Sequence, residues 1–587
     1  MSYLAGRKAN YDKFPVVDIQ GFDDKACRGW EGIQSVIRSA CTQTKKHVLV
    51  IDTYHGVNHD EIRNELIEKL NPSLIVDSND AKYSEEKIHA MLERHITDDR
   101  VFGIIAPHKL PEFFDKEKLA ALTEEVEKQE SGLVVVIGHG ASLITEGDTM
   151  VYADMARWEI QQRFRRGELG NWGVGNTSED VLRRYKRSFF IEWRVFDRHK
   201  TALLPKVDFL LDTNTANDPK LVTGQAFNAG LQQATEQPFR LVPFFDPGVW
   251  GGQWMKEVCD LEKDKDNYAW CFDCVPEENS LQLKFKDVVV EIPSQDLVLL
   301  QPKALLGEKV HARFGAEFPI RFDFLDTMQG QHLSLQVHPL TEYIQSEFGM
   351  HYTQDESYYM LDAGKNASVY LGVKTGTDPD EMMEDLRAAQ RGEKSFDDEK
   401  FINQFPAKKH DHFLIPAGTI HCSGAESMVL EVSATPYIFT FKLWDWDRLG
   451  LDGLPRPVHL EHGKEVIQWE RDTEWCEEHL VNAITPITEG DGWREERTGL
   501  HEREFIETRR HWFTKPVMHT TDGTVNVLNL IEGAEAIVES PSGAFKPYVV
   551  HYAETFVIPA NVTEYTIRPY GESEGQEIAT LKAYVRG

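Results

Sequence analysis

Gln336, His338, Glu356 and His421 are the residues of this 587-residue chain whose types and settings could hold a divalent cation. LSLQVHP (333–339) alternates apolar and polar as a strand does, so Gln336 and His338, two apart, leave the same face of it. Glu356 stands in a second strand-like run, DESYYML (355–361), where alternation again decides which face it meets. His421 follows the tight turn IPAG (415–418) and begins a further strand. Two imidazoles, a carboxylate and an amide oxygen suit a borderline cation such as zinc and leave room for water or a substrate. The four in order carry a reading that none of them carries singly.

Strands must bring these side chains together, and the chain is rich in strand signals. At 587 residues it is too long for one core, so several domains are expected. Residues 1–240 alternate short β-branched runs with amphipathic stretches. The runs are HVLVID (47–52), SLIVD (73–77), VFGIIA (101–106), GLVVVIG (132–138), TMVYAD (149–154) and VDFLLD (207–212). Between them lie EIRNELIEKL (61–70), EKIHAMLERHI (86–96) and KLAALTEEVEKQ (118–129). That alternation predicts an α/β domain with a mostly parallel sheet. Ligands of such folds bind beyond the carboxyl ends of the strands. The first such loop, DTYHGVNHDE (52–61), has one glycine and no lysine, so it is no phosphate cradle.

From Leu241 the pattern changes to short β segments rich in Pro, Gly and Trp, beginning with LVPFFDPGVWGGQWM (241–255). A Pro/Gly-rich link (450–457) separates two such regions, which predicts barrels or sandwiches over 241–460 and 461–587. An acidic helical insert, DEMMEDLRAAQR (380–391), interrupts the first near 376–405. FLIPAGTIH (413–421) matches FVIPANVTE (556–564) position by position, so the two regions read as copies of one unit. The second copy has Glu564 where the first has His421 and no upstream Gln-x-His, so its expected role is structural.

The net charge of -32 leaves little from which to build a phosphate-backbone surface, and nucleic acid is not an expected partner. No long apolar run is present, and the N-terminal MSYLAGRKANYDKF lacks a signal-peptide core. The expectation is a cytoplasmic protein without membrane contact. Seven scattered cysteines fit free thiols, and the lone C-x-x-C of Cys271 and Cys274 reads as buried packing.

PFFDPGVWGG (243–252), LLG (305–307), EFPIRFDFLD (317–326), LSLQVHP (333–339), the Glu of DESYYMLDA (355–363), FLIPAGTIH (413–421) and LWDWDRLG (443–450) together resemble class I mannose-6-phosphate isomerases. These are cupin metalloenzymes. The resemblance implies two cupin barrels, the first holding one zinc per chain on Gln336, His338, Glu356 and His421. It also implies interconversion of an aldose and a ketose phosphate by moving a proton between C1 and C2. Ser334 matches a position near the family's substrate. Three polar positions depart from the pattern. Lys442 in FKLWDWDR (441–448) replaces an arginine, which keeps the charge and loses the bidentate fork. Gln354 replaces a lysine, and the family's Asn-Ser-Asp is absent around Pro436, Tyr437 and Ile438.

The expected catalytic residues are Lys442 and Glu431, the latter in MVLEVS (428–433), each also readable as structural. Asp447 and Arg448 read as a turn or salt-bridge pair. Trp250 and Trp270 can wall a sugar pocket or pack as core. The expected partner is a small sugar or sugar phosphate. The N-terminal domain resembles a uridine-kinase-like domain that has lost its phosphate loop, with 183–198 and VDFLLDT (207–213) adding to the likeness. Alternatives that stay open are an isomerase for another or unphosphorylated sugar and a non-catalytic, sugar-binding regulatory protein.

Overall fold

A computed structural model describes residues 3–41, 45–436, 439–499, 501 and 504–586. Tyr437 and Ile438 lie outside the described residues. The chain forms two compact units, and it enters each of them more than once. One comprises Val16–Ala234 and Ser280–Leu300; the other comprises Met1–Pro15, Thr235–Asn279 and Gln301–Gly587. Among the described residues no helix is long and apolar enough to cross a membrane.

The α/β unit is built on a seven-stranded sheet. Its five parallel strands run, in spatial order, Leu74–Asp77, Gly132–Gly138, Lys46–Thr53, Thr149–Asp154 and Phe209–Asp212. Lys220–Thr223 and Ala26–Arg28 continue it antiparallel. Val48, Val50, Val76, Val134 and Val136 form one core face with Val126, Ala141 and Ile144. Helices Glu85–Ile96 and Lys116–Lys128 begin at Ser84 and Asp115, whose side chains accept first-turn N–H groups. VFGIIA (101–106) does not become a strand. Its backbone is held instead by His95 O and Phe190 O, which accept from Ile104 and Ala106, and Phe102 and Ala106 are buried without a ladder.

The expected uninterrupted block 241–460 is corrected by the excursion 280–300. Strands Ser280–Phe285 and Val288–Pro293 pair with each other, and the first also pairs parallel with Val16–Asp18. Asp296, in the helix Ser294–Leu300 that follows, is fully buried and lies 2.6 Å from the equally buried Lys200, which also pairs with Asp154 at 3.2 Å. A buried carboxylate and ammonium need one another, which ties this segment to the α/β unit.

The second unit holds two pairs of sheets with the same strand order. In the first pair, one sheet runs His412–Ile415, Asp355–Ala363, Ser427–Ala434, Arg321–Asp326, Trp270–Cys274, Phe244–Asp246. The facing sheet runs Ile402–Pro406, Ser368–Val373, His421–Ser423, Leu335–Val337, Phe441–Trp444. The other pair repeats this as Thr555–Ile558, Asn526–Glu532, Ile578–Val585, Ile506–Phe513, Trp493–Gly499, Thr485–Gly490 and as Tyr548–His551, Glu535–Glu539, Glu564–Pro569, Val517–Thr520. One core cluster drawn from both sheets of this second pair, including Phe513, Leu528, Phe556, Val538 and Ile567, makes it a sandwich. The insert forms helix Pro379–Gln390. The seven cysteines are free, with Cys271 and Cys274 buried in one strand.

Candidate metal centre

Gln336 is the middle residue of Leu335–Val337, and its backbone register partners are His421 on one side and Lys442 on the other. Side chains in register share a face, so these three line the inside of one sheet. Glu356 comes from the facing sheet, beside Ser433, and His338 stands just past the strand end. Two sheets and four chain segments therefore meet at one point.

His421 Nε2 lies 2.7 Å from Glu356 Oε1 and His338 Nε2 lies 3.2 Å from Glu356 Oε2. The Gln336 amide is 3.2 Å from His421 Nε2. One ligand atom from each of His338, Glu356 and His421 fits within 4.8 Å, and all three residues are buried. The other ring nitrogens are used: His338 Nδ1 donates to Phe439 O at 2.7 Å and His421 Nδ1 to Thr419 O at 2.9 Å. That fixes each tautomer and turns a bare Nε2 inward, the arrangement that orients imidazoles toward a metal. Glu356 Oε1 and His338 Nε2 have no hydrogen-bond partner among the described residues despite their burial. Orphaned buried acceptors of this chemistry fit a cation. Burial pushes the Glu356 carboxyl up, and His338 and His421 outweigh it, holding the group well below its usual range.

The turn before His421 is set by residues far along the chain. Gly418 sits at φ +89°, and an added Cβ would meet Gln468 Cγ at 2.6 Å. Arg471, fully buried, donates to Pro416 O and Ala417 O at 2.8 Å each, while Asp355 accepts the Ala417 N–H at 2.7 Å. Arg471 belongs to the expected second domain yet shapes the first domain's site. No local signal in the sequence marks it.

Behind the ligands runs a buried polar chain. Gln354 Nε2 donates to Glu356 Oε2 at 3.0 Å, Glu431 Oε1 at 3.1 Å and Ser433 Oγ at 3.2 Å; its Oε1 accepts the Phe439 N–H at 3.0 Å. Glu431 faces Asp323 and Tyr358 across the ladder. Burial, with Glu356 and Asp323 nearby, pushes the Glu431 carboxyl well up.

Lys442 is half-buried and has no hydrogen bond or ion pair among the described residues. Burial, with Arg456 and Arg448 nearby, pushes its ammonium down to about 7. Ser334 donates to Asp445 Oδ1 at 2.8 Å, and Asp445 also binds Arg448 and Arg456 at 2.5 Å each. Two arginines thus hold one carboxylate, whose charge also acts on Lys442. Arg456, inside the Pro/Gly-rich link, was not singled out by the sequence. Arg448 pairs with Asp445 and not Asp447, because Asp447 accepts from Trp444 Nε1 and Ser395. Trp250 is fully buried edge-on to Trp270 at 4.7 Å, which is core packing. In the second sandwich Glu564 is exposed and its neighbour Tyr565 is buried in the core.

In the α/β unit, the Asp52 carboxylate ends the central strand and accepts from Gly140 N at 3.1 Å, Ser142 N at 3.0 Å and Ser142 Oγ at 2.5 Å. The backbone donors beside the first loop are taken up by a side chain of the same unit.

Fold and site together define a protein with a paired-sheet β unit, a candidate two-histidine, one-carboxylate metal centre within it, and an α/β unit. Over about 40–57% of its length the chain is homologous to mannose-6-phosphate isomerases. It is 26% identical over 236 residues to mannose-6-phosphate isomerase ManA of Bacillus subtilis (strain 168), covering 40% of this chain and 69% of that protein. It is 23% identical over 350 residues to the putative mannose-6-phosphate isomerase YvyI of the same organism, covering 57% and 96%. The crystal structure of the mannose 6-phosphate isomerase from Bacillus subtilis superposes with a TM-score of 0.48 at 18% identity, over 59% of this chain and 99% of that one. Residues 29–236 match a family described as a domain of unknown function, DUF8485.

Proposed function

We propose that this protein is a zinc-dependent aldose–ketose isomerase that interconverts mannose 6-phosphate and fructose 6-phosphate. Gln336, His338, Glu356 and His421 would hold one zinc per chain in the first sandwich, read as a cupin. A metal there supplies Lewis-acid polarisation of the sugar oxygens. The observation that carries the reading is the pair of imidazoles locked through Nδ1 and opposed by Glu356, with Lys442 alongside in register.

The chain's own residues divide the remaining work. Lys442, with Arg448 and Arg456, meets the anionic end of the substrate, and Ser334 steadies Asp445 among them. Glu431, whose carboxyl is pushed well up, is the group we assign to proton transfer, taking the proton from C2 as the carboxylate and returning it to C1. Isomerisation removes a proton from C2, returns one to C1 and exchanges the hydroxyl protons, so no net proton is consumed. A second reading, an isomerase for another or unphosphorylated sugar, is favoured by the compact Lys442 where a fork-shaped arginine is the pattern. A regulatory sugar-binding role is the third. The parallel strand order of the α/β unit supports descent from a kinase-like domain, with Asp52 filling its backbone donors. We place the protein in the cytoplasm with a small sugar phosphate as partner.

A coupled assay across a sugar-phosphate panel, with and without a chelator, tests this. Turnover of mannose 6-phosphate that is lost on metal removal supports the proposal; turnover of other sugars alone supports the second reading. Metal binding without turnover of any sugar overturns both.

A further inference from the structure

The second sandwich repeats the first in strand order, so their interiors can be compared residue by residue. The shared FLIP (413–416) and FVIP (556–559) segments align Ile415 with Ile558. Ile415 pairs with Glu356, which pairs with Ser433; Ile558 pairs with Asn526, which pairs with Tyr584. Two residues further along the ladder, Tyr358, Glu431 and Asp323 form one inward row. The equivalent row in the second sandwich is Leu528, Lys582 and Arg509. Two acids beside the metal centre have thus become two bases. In the row before it Arg321 is matched by Glu507, an inversion in the opposite sense.

These bases face the interior. Lys582 shares its face with Ile578 and Thr580, and Leu528, Leu530 and Ile578 belong to the core between the sheets. Arg509 spends its guanidinium on Glu507 at 2.6 Å and Glu495 at 3.1 Å, and Glu495 also takes His511 at 3.2 Å. Lys582 is 7% exposed; its ammonium lies 5.5 Å from the Tyr584 ring centroid, and no side-chain hydrogen bond or close ion pair holds it among the described residues. Around it are further buried groups without partners: His519 Nε2, His511 Nδ1 and Thr580 Oγ1. His519 stacks on Tyr565 at 5.0 Å and lies edge-on to His511 at 4.6 Å, so both rings are held in place. A desolvated ammonium that no side chain hydrogen-bonds directly is costly, and a lysine with no role would be replaced at a gain in stability by an apolar residue. Burial pushes this ammonium down to about 8, against the pull of Glu495, Asp522 and Glu507.

We propose that the C-terminal sandwich binds a small phosphate- or carboxylate-bearing molecule through Lys582, with His519, His511 and Thr580 as further hydrogen-bonding groups. Arg509, 28% exposed on its side chain, is the register neighbour of Lys582 on the surface side. Where the first sandwich presents acids and imidazoles to a cation, the second presents an ammonium and imidazoles to an anion. The site is independent of the isomerase reading and gives the protein a second ligand of opposite charge.

Inorganic phosphate is the probe. Its binding to the full-length protein is measured by calorimetry and by thermal shift for the wild type, Lys442→Gln, Lys582→Met and His519→Phe. Lys582→Met is expected to weaken one class of phosphate site by roughly tenfold or more, and Lys442→Gln to leave that class intact. Without phosphate, Lys582→Met should melt above the wild type, because it removes a desolvated charge; with phosphate its melting temperature should no longer climb. His519→Phe keeps the stack on Tyr565 and should weaken the same class. Phosphate binding by Lys582→Met and His519→Phe equal to that of the wild type overturns the proposal. Mannose 6-phosphate turnover, which both variants should retain, reports on the isomerase reading separately.

Discussion

Gln354→Leu is the sharpest perturbation of the metal centre that leaves every ligand in place. Gln354 braces the ligand Glu356 directly at 3.0 Å, and it braces His338 through Phe439, whose N–H it accepts and whose carbonyl takes His338 Nδ1–H. Removing the amide leaves Glu356 free to swing and loosens the backbone that fixes the His338 tautomer. Loss of such outer hydrogen bonds costs about 10–100-fold in metal affinity, or about 1.4–2.7 kcal/mol. The unpaired Phe439 N–H adds about 1–3 kcal/mol of instability. Competition for zinc against a chromophoric chelator reads the first number, and urea titration of the zinc-free protein reads the second. Gln354→Glu separates the two effects, since it keeps an acceptor for Phe439 and sets a second carboxylate against Glu356. Zinc affinity within twofold of wild type for Gln354→Leu would falsify the bracing argument, whatever happened to stability.

Other expectations are equally concrete. Lys442→Gln should lower kcat/KM for mannose 6-phosphate by roughly 10–100-fold through the loss of a charged hydrogen bond. Lys442→Arg should raise it if the fork geometry matters, and unchanged kinetics in both would remove this residue from the site. His412 is fully buried, and burial with Arg510 nearby pushes its pKa down to about 3. Its folded form is neutral, so its contribution is complete above the unfolded value near 6.5 and is lost as pH falls toward 3. At pH 5 that loss is about 2 kcal/mol. His412→Leu should shrink the drop in urea midpoint between pH 7.5 and pH 5, and an unaltered slope would count against this origin. Glu564→His restores the residue type of the first repeat, yet elemental analysis should find no additional ion, because position 564 faces solvent.

Much of the candidate site was legible in the residues alone. Alternation in LSLQVHP (333–339) places Gln336 and His338 on one face, and the Ile-Pro-Ala repeat announces two like units. Both are local properties, set by the two-residue period of a strand and by turn chemistry, and they survive into the fold unchanged. Short-range pattern could not tell that VFGIIA (101–106) would pack without strand pairing, since an apolar run satisfies its backbone wherever acceptors happen to lie. Nor could it place Ser280–Leu300 in the α/β unit, where Asp296 meets Lys200. Arg471 on the turn before His421, Arg456 at Asp445, and Lys582 buried without a side-chain hydrogen bond are likewise products of packing. Residue type and period determine which atoms can do chemistry; which distant charge reaches them depends on packing between separate segments, as for Arg471 with Pro416 or Asp296 with Lys200.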